Sequence, residues 1–393
     1  MHHTTPPSPH PYPEAAEPTP SDPSPDRPAS PSVDEPTVPH PRAAERHGRH
    51  ALLDTEPGIA APVLAAGAGL LKAMLVPVVT ALAIGTAFVA VYLAAFHAPT
   101  AHHQPLGIAA SDQQAARAEL ALNDSAPDAY TFHRYPSAAA ARDAVAHDRV
   151  PAALVAEGNS TVLLAAGAQG PSTVGSLQAA ATAAAGHPVA VQDVVPLASG
   201  DSRGLSVFYA SFGVVLAGFL FSVASYQIAP RLPLAARVAS TVVFATASGT
   251  MVALIGHQAL HALPAAFTTV AVIAGLLAMA TATAAGVLLR LFGPLGMPVA
   301  SVVLLILGNA TSGGILPTSF LPPWLAPLAQ VMPPAAAVRA LRGAGYYHSA
   351  HLTDGLVLLA AWILGCLAVQ YVLDLRAARK AAAGRSVGGA LRV

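Results

Sequence analysis

Six long stretches of this chain contain no Asp, Glu, Lys or Arg: Ala73–Phe96, Leu205–Ile228, Val238–His261, Ala266–Leu289, Met297–Leu316 and Gly355–Leu373. A helix needs roughly 20 apolar residues to cross the hydrocarbon core of a bilayer, and each stretch comes close to that length. Their spacing is uneven. The first stands alone, about a hundred mostly polar residues follow, and the other five lie close together. The pattern predicts an α-helical polytopic membrane protein with six transmembrane helices. An insertion lies between helices 1 and 2, and a five-helix block occupies residues 205–375.

Composition sharpens this. Of 393 residues, 54% are hydrophobic and 10% are charged, with a formal net charge of zero, so nothing points to nucleic acid. One cysteine, Cys366, excludes an internal disulfide and a cysteine-based metal site. Residues 1–58 are polar, rich in proline and histidine, and lack the apolar core of a cleavable signal peptide. Such a segment buries too little apolar surface to offset its chain entropy, so a disordered cytoplasmic tail is expected there.

The basic residues set the expected orientation. With the N-terminus inside, the inner segments carry Arg27, Arg42, Arg46, Arg49, Lys72, Arg231, Arg237 and Arg290. Arg376, Arg379, Lys380, Arg385 and Arg392 follow in a basic tail, residues 376–393. The short connections discriminate best: Ala229–Arg237 holds two arginines and Ala262–Pro264 none. The positive-inside rule then places both termini in the cytoplasm and residues 97–204 outside a cell membrane.

The insertion alternates short apolar runs with helical ones. Strands are expected at Leu106–Ala110, Tyr130–Tyr135, Ala152–Ala156, Thr161–Ala165 and Val189–Val195. Helices are expected at Gln113–Leu122, Ser137–His147 and Ser172–Ala185. Ser111 and Ser137 stand where N-caps belong. This predicts an α/β extracytoplasmic domain. It contains no nucleophile elbow, phosphate loop or HExxH motif, so no catalytic residue, metal ligand or cofactor site is assigned and the chain is not read as an enzyme.

The most unusual membrane segment is the fifth. Asn309, Thr311, Ser312, Gly313 and Gly314 interrupt its apolar run. Two readings stand: close helix packing through small residues, or an element of a substrate path or gate, since broken backbone at membrane depth must be satisfied by protein or water. The outer segment 317–353 follows, proline-rich and re-entrant-like, with Trp324 suited to anchoring at the interface. A short helix from Ala335 to Ala344 is expected on the outer surface. There Arg339 and Arg342, three residues apart, share a face toward lipid phosphates or water. His257 and His261 have a metal-compatible spacing but no third ligand.

Three stretches carry a family resemblance. Ala138–Val155 (AAAARDAVAHDRVPAALV) joins an alanine-rich helix to a strand. Val191–Gly204 (VQDVVPLASGDSRG) leaves the insertion for the second span. Gly308–Tyr347 (GNATSGGILPTSFLPPWLAPLAQVMPPAAAVRALRGAGYY) combines a polar break, a proline-rich loop and a short helix ending in paired aromatics. Together they resemble the ABC-2-type transporter permeases, in the branch with a large extracytoplasmic domain after the first span (the phage-infection-protein, YhgE/Pip, group). The resemblance implies a dimerising permease subunit, homo- or heterodimeric, that exports an amphiphilic substrate such as a lipid, drug or cell-envelope component. The chain has no phosphate loop of its own, so ATP would enter only through a separate ATP-binding-cassette partner. The alternative is a non-transporting scaffold or receptor whose ectodomain binds an envelope partner.

Overall fold

The computed structural model describes residues 60–157 and 160–390, with side chains placed from 69 to 382. The expected disordered tail, residues 1–58, lies outside the described residues. Helix α1 (Ala60–Phe96) leads into an α/β unit: β1 (Gln104–Ala109), α2 (Asp112–Ser125), β2 (Tyr130–Arg134), α3 (Ala138–Ala146), β3 (Ala152–Glu157), β4 (Ser160–Ala165), α4 (Pro171–Ala185) and β5 (Ala190–Asp193). The remaining residues form a helical block. It comprises α5 (Ser206–Ile228), α6 (Leu234–Val252), α7 (Phe267–Phe292), α8 (Gly296–Ala300), α9 (Gly308–Ala310), α10 (Leu328–Val331), α11 (Pro333–Tyr346) and α12 (Leu352–Ala390).

Local chemistry explains the α/β unit. Ser111 caps α2 in a reciprocal capping box with Gln114, which satisfies donors that a helix start leaves open. Ser137 accepts from the Ala140 amide at the start of α3. The five strands run in the order β2-β1-β3-β4-β5. β3 and β4 form an antiparallel hairpin, and the other pairs are parallel. Alternate residues serve opposite faces. Leu106, Leu154 and Leu163 pack with Leu122 of α2 and Leu177 of α4. Ala153, Val155 and Leu164 pack with Ala141 and Val145 of α3. Tyr347 completes this second face from the helical block, fully buried beside α3.

Among the described residues, five helical stretches are long and apolar enough to cross a membrane: Gly69–Phe96, Ser206–Ile228, Leu234–Ala259, Phe267–Ala310 and Leu352–Ala382. The stretch Phe267–Ala310 holds two of the expected segments and doubles back on itself. At the turn Gly293–Leu295, a Cβ on Gly296 would lie 2.5 Å from the Leu289 Cα, far closer than seven residues stand in a continuous helix. The returning leg is shorter than expected. Its helix ends at Ala310 after a π-helical turn, Ser301–Leu307, and residues 311–316 are irregular. Asn309 and Thr311 direct side-chain bonds to their own helix (below), and Gly313, at φ +72°, takes a left-handed conformation within the irregular stretch that follows.

α7 is the hub of the block, with Val270, Ile273, Leu277, Ala280 and Ala284 in its main core. α6 crosses it where side chains nearly vanish: a Cβ on Gly249 would meet the Ala271 carbonyl oxygen at 2.1 Å, and one on Gly275 the Ala245 oxygen at 3.1 Å. Lipid is as apolar as leucine, so such contacts hold through close packing rather than through the hydrophobic effect. α1 is different. None of its most apolar window is buried, and only its end packs, with Ala95 against Leu321, Leu325 and Ala329.

Candidate functional site at the junction of helix block and α/β domain

The broken leg, α11 and the α/β domain meet in one buried polar cluster. Its lowest layer is the interruption itself. Asn309, Thr311 and Ser312 are buried. The Asn309 amide donates to the Leu305 carbonyl at 3.0 Å, and the Thr311 hydroxyl to the Leu307 carbonyl at 2.7 Å. The Ser312 hydroxyl accepts from the Gly314 amide at 3.2 Å. The Asn309 Oδ1 atom is buried with no hydrogen-bond partner among the described residues.

Helix α11 answers this interruption and corrects an expectation. It does not lie on the outer surface: every residue from Pro333 to Val338 and from Ala340 to Gly343 is buried. Arg342 donates through Nη1 to the Gly313 carbonyl at 2.8 Å and through Nη2 to the Gly314 carbonyl at 2.9 Å. Arg339 is partly buried and donates to the Ala329 carbonyl at 2.6 Å. Both arginines therefore donate to carbonyls that the irregular segments before α11 leave open, Arg342 from a buried position and Arg339 from a partly exposed one. The Trp362 indole does the same for the Val331 carbonyl at 2.7 Å. Pro334 lies against Gly308 and Gly355 against Ala336, so α11 is set between the broken leg and α12. Trp324, by contrast, is 59% exposed.

The far end of α11 is built into the α/β domain. A Cβ on Gly343 would fall 1.6 Å from the Ala350 oxygen, so only glycine lets the chain fold back tightly enough to push Tyr347 into the sheet core. His348, Ser349 and His351 all have positive φ, at 53°, 68° and 59°, a conformation that non-glycine residues adopt at a cost. Tyr346 accepts from the Ala198 amide at 3.3 Å. Asp201 is buried and accepts from the Leu205 and Ser206 amides, both at 3.1 Å, at the start of α5.

Asp148, in the turn after α3, faces this end. Gln169 donates to its Oδ1 at 2.8 Å, and His351 Nε2 lies 3.8 Å from its Oδ2. Burial pushes the Asp148 carboxyl up to about 6, against the opposing pull of His351, Arg342 and the Gln169 hydrogen bond. Burial also raises the neighbouring Tyr347 phenol, with the Asp148 charge adding to the rise. Arg342 thus sits between two backbone carbonyls on one side and the Asp148 and Asp201 carboxylates within electrostatic reach on the other.

The cluster holds no nucleophile paired with a base, and no group of three or more potential metal ligands occurs among the described residues. His257 bonds the Leu263 carbonyl at 3.1 Å, close to the tight turn that follows α6. What the arrangement can do is mechanical and electrostatic: it ties the interrupted membrane leg, through one arginine and one helix, to the core of the α/β domain. Gln169 carried no motif, and Asp148 and Tyr347 fell inside the stretches Ala138–Val155 and Gly308–Tyr347 without being assigned a role. Only their long-range placement makes them part of the site.

No protein-family model matches the chain, and neither a curated protein nor a solved structure does.

Proposed function

We propose that the chain is a transport permease subunit of the ABC-2 type, exporting an amphiphilic substrate with a separate ATPase. The observation that carries this reading is the buried interruption at Asn309–Gly314, held by Arg342 on a helix whose other end is set into the α/β domain. Irregular backbone at membrane depth is costly unless it lines a path or is held by protein. Here two of its carbonyls, those of Gly313 and Gly314, are held by one charged side chain, Arg342.

In this reading Phe267–Ala310 crosses twice, giving six crossings in a cell membrane. Both termini are cytoplasmic and the α/β domain is outside, as the arginine distribution favours. The uncovered sides of α1 suit a second copy or another permease chain as well as lipid. The test is co-purification of the full chain with an ATP-binding-cassette protein, together with efflux or lipid-export assays on a deletion strain. An ATPase partner and a lost export phenotype support the reading, and the absence of both removes it.

One observation favours a second reading, a receptor for an envelope ligand. A cavity of about 310 Å³ on the α/β domain is lined by Ile108, Ala110, Arg117, Leu154, Ala156 and His187. It lies at the carboxyl ends of β1 and β3, where open α/β sheets take their ligands. Ligand binding by the full chain without any export phenotype would favour it.

A further inference from the structure

A second cavity, of about 340 Å³, lies at the end of the block away from the α/β domain. It is walled by the C-terminal half of α5, the N-terminal part of α6, the end of α7 and α12. That volume falls in the range of small-ligand sites. Phe221, Val238 and Leu367 make its apolar side, and Thr241 and Gln370 line it with Arg237 and Arg290. The Gln370 amide is already engaged, donating to the Thr283 carbonyl at 3.0 Å.

The charges at this cavity do not balance. Arg290 is bonded to Asp374, and Arg237 Nη1 stands 3.6 Å from the same carboxylate, too far for a hydrogen bond. Two guanidinium groups therefore share one acid. From residue 205 onward the sequence contains only two acidic residues, Asp354 and Asp374, and Asp354 lies at the opposite end of α12. Arg231, Arg376, Arg379 and Lys380 add further positive charge in the flanking segments. Arg237 Nη1 and Asp374 Oδ2 face each other across that 3.6 Å gap, both buried and without a hydrogen-bond partner among the described residues, while Arg237 Nη2 donates to the Leu232 carbonyl at 2.7 Å. A buried donor and a buried acceptor left open side by side are costly. A ligand that offers an anionic oxygen to the first and a hydroxyl to the second removes both costs.

We propose that this cavity is a binding site for an anionic phospholipid whose headgroup pairs a phosphate with a free hydroxyl, the phosphoglycerol class. The phosphate meets Arg237 and the unspent donors of Arg290, the hydroxyl donates to Asp374 Oδ2, and the first chain carbons lie along Phe221, Val238 and Leu367. A basic pocket between membrane helices is the expected recognition element for such headgroups. The proposal does not depend on the transport reading and survives if that reading fails.

The test is thermal unfolding of the full chain in non-ionic detergent, titrated separately with dihexanoyl-phosphatidylglycerol, dihexanoyl-phosphatidylcholine and inorganic phosphate. The expected result is a saturable rise in melting temperature with phosphatidylglycerol, and little or none with the other two at the same concentration. Arg237→Gln weakens that response about tenfold or more, the loss of one charge-assisted bond. Thr241→Leu, which fills the cavity without touching its charges, weakens it as well. Equal responses to phosphatidylglycerol and phosphatidylcholine overturn the proposal. So does an equal response to phosphate alone, which would make the site one for free anions, or an unaltered phosphatidylglycerol titration in a folded Arg237→Gln protein.

Discussion

Arg342 donates both terminal guanidinium nitrogens to successive carbonyls, those of Gly313 and Gly314, at 2.8 and 2.9 Å. One side chain thereby satisfies two carbonyls of the irregular stretch that follows the helix end at Ala310. The pair is 29 and 28 residues apart in sequence and carries the connection between the broken leg and α11.

Arg342→Met should therefore cost about 3–5 kcal/mol, since it leaves two buried carbonyls open and removes the counter-charge of Asp148 and Asp201. Arg342→Lys should recover only part of this, because an ammonium group lacks the planar fork that reaches both carbonyls. Melting temperatures in detergent check both, and an Arg342→Met protein as stable as the wild type would contradict the assignment.

Asp148 makes the junction sensitive to pH. Its carboxyl is raised in the folded state to about 6 from an ordinary 3.8, so between these values the folded protein holds more protons than the unfolded one. Stability should then fall as pH rises from about 4 to about 6 and level off above. The shift corresponds to at most about 3 kcal/mol. Asp148→Asn keeps the acceptor for Gln169 and should flatten this part of the curve, raising stability at pH 7 relative to the wild type. Melting temperature against pH for the two proteins is the check.

Tyr347 is the α11 end's deposit in the sheet core. Tyr347→Ala should remove about 3–5 kcal/mol of packing and loosen the α/β domain before the helical block. Hydrogen exchange should then show faster exchange in α3, β3 and β4, with α7 unchanged.

The α6–α7 crossing gives an independent prediction. Gly249→Leu places a side chain where the Ala271 oxygen allows none, so α6 must move away, at a cost of about 1–3 kcal/mol or more. Gly213→Leu, where a Cβ meets nothing within 4 Å, should be close to neutral in the same melting assay.

Much of the α/β domain could be read from residue order, because its signals are local. Leu106, Leu154 and Leu163 sit in short apolar runs bounded by polar turns, and Ser111 and Ser137 cap α2 and α3, so strands and helices fall within a few residues of expectation. The membrane helices were legible from their charge-free length. The interruption at Asn309–Gly314 was legible too, from its polar and glycine residues, but the residue at which the helix stops, Ala310, was not, since the charge-free run continues to Leu316. Nor was the burial of α11, whose two arginines read as a wet face. The missing signal was an accounting one: the irregular segments around Gly313–Gly314 and Ala329 leave carbonyls open, and Arg342 and Arg339 donate to them. The Asp148–His351 pair spans some two hundred residues and has no local trace at all.

The central claim, that α11 is a buried strut rather than a surface helix, can be measured directly by cysteine accessibility. Cys366 is the only native cysteine, so Cys366→Ala supplies a blank background. Single cysteines at Ala337, fully buried in α11, and at Leu120, 64% exposed on α2, are then treated with a membrane-impermeant maleimide in lipid nanodiscs, where both faces are open to reagent. The structure predicts rapid labelling of Leu120→Cys and almost none of Ala337→Cys until the protein is unfolded. Equal labelling of the two in the folded protein would put α11 on the surface and contradict the account.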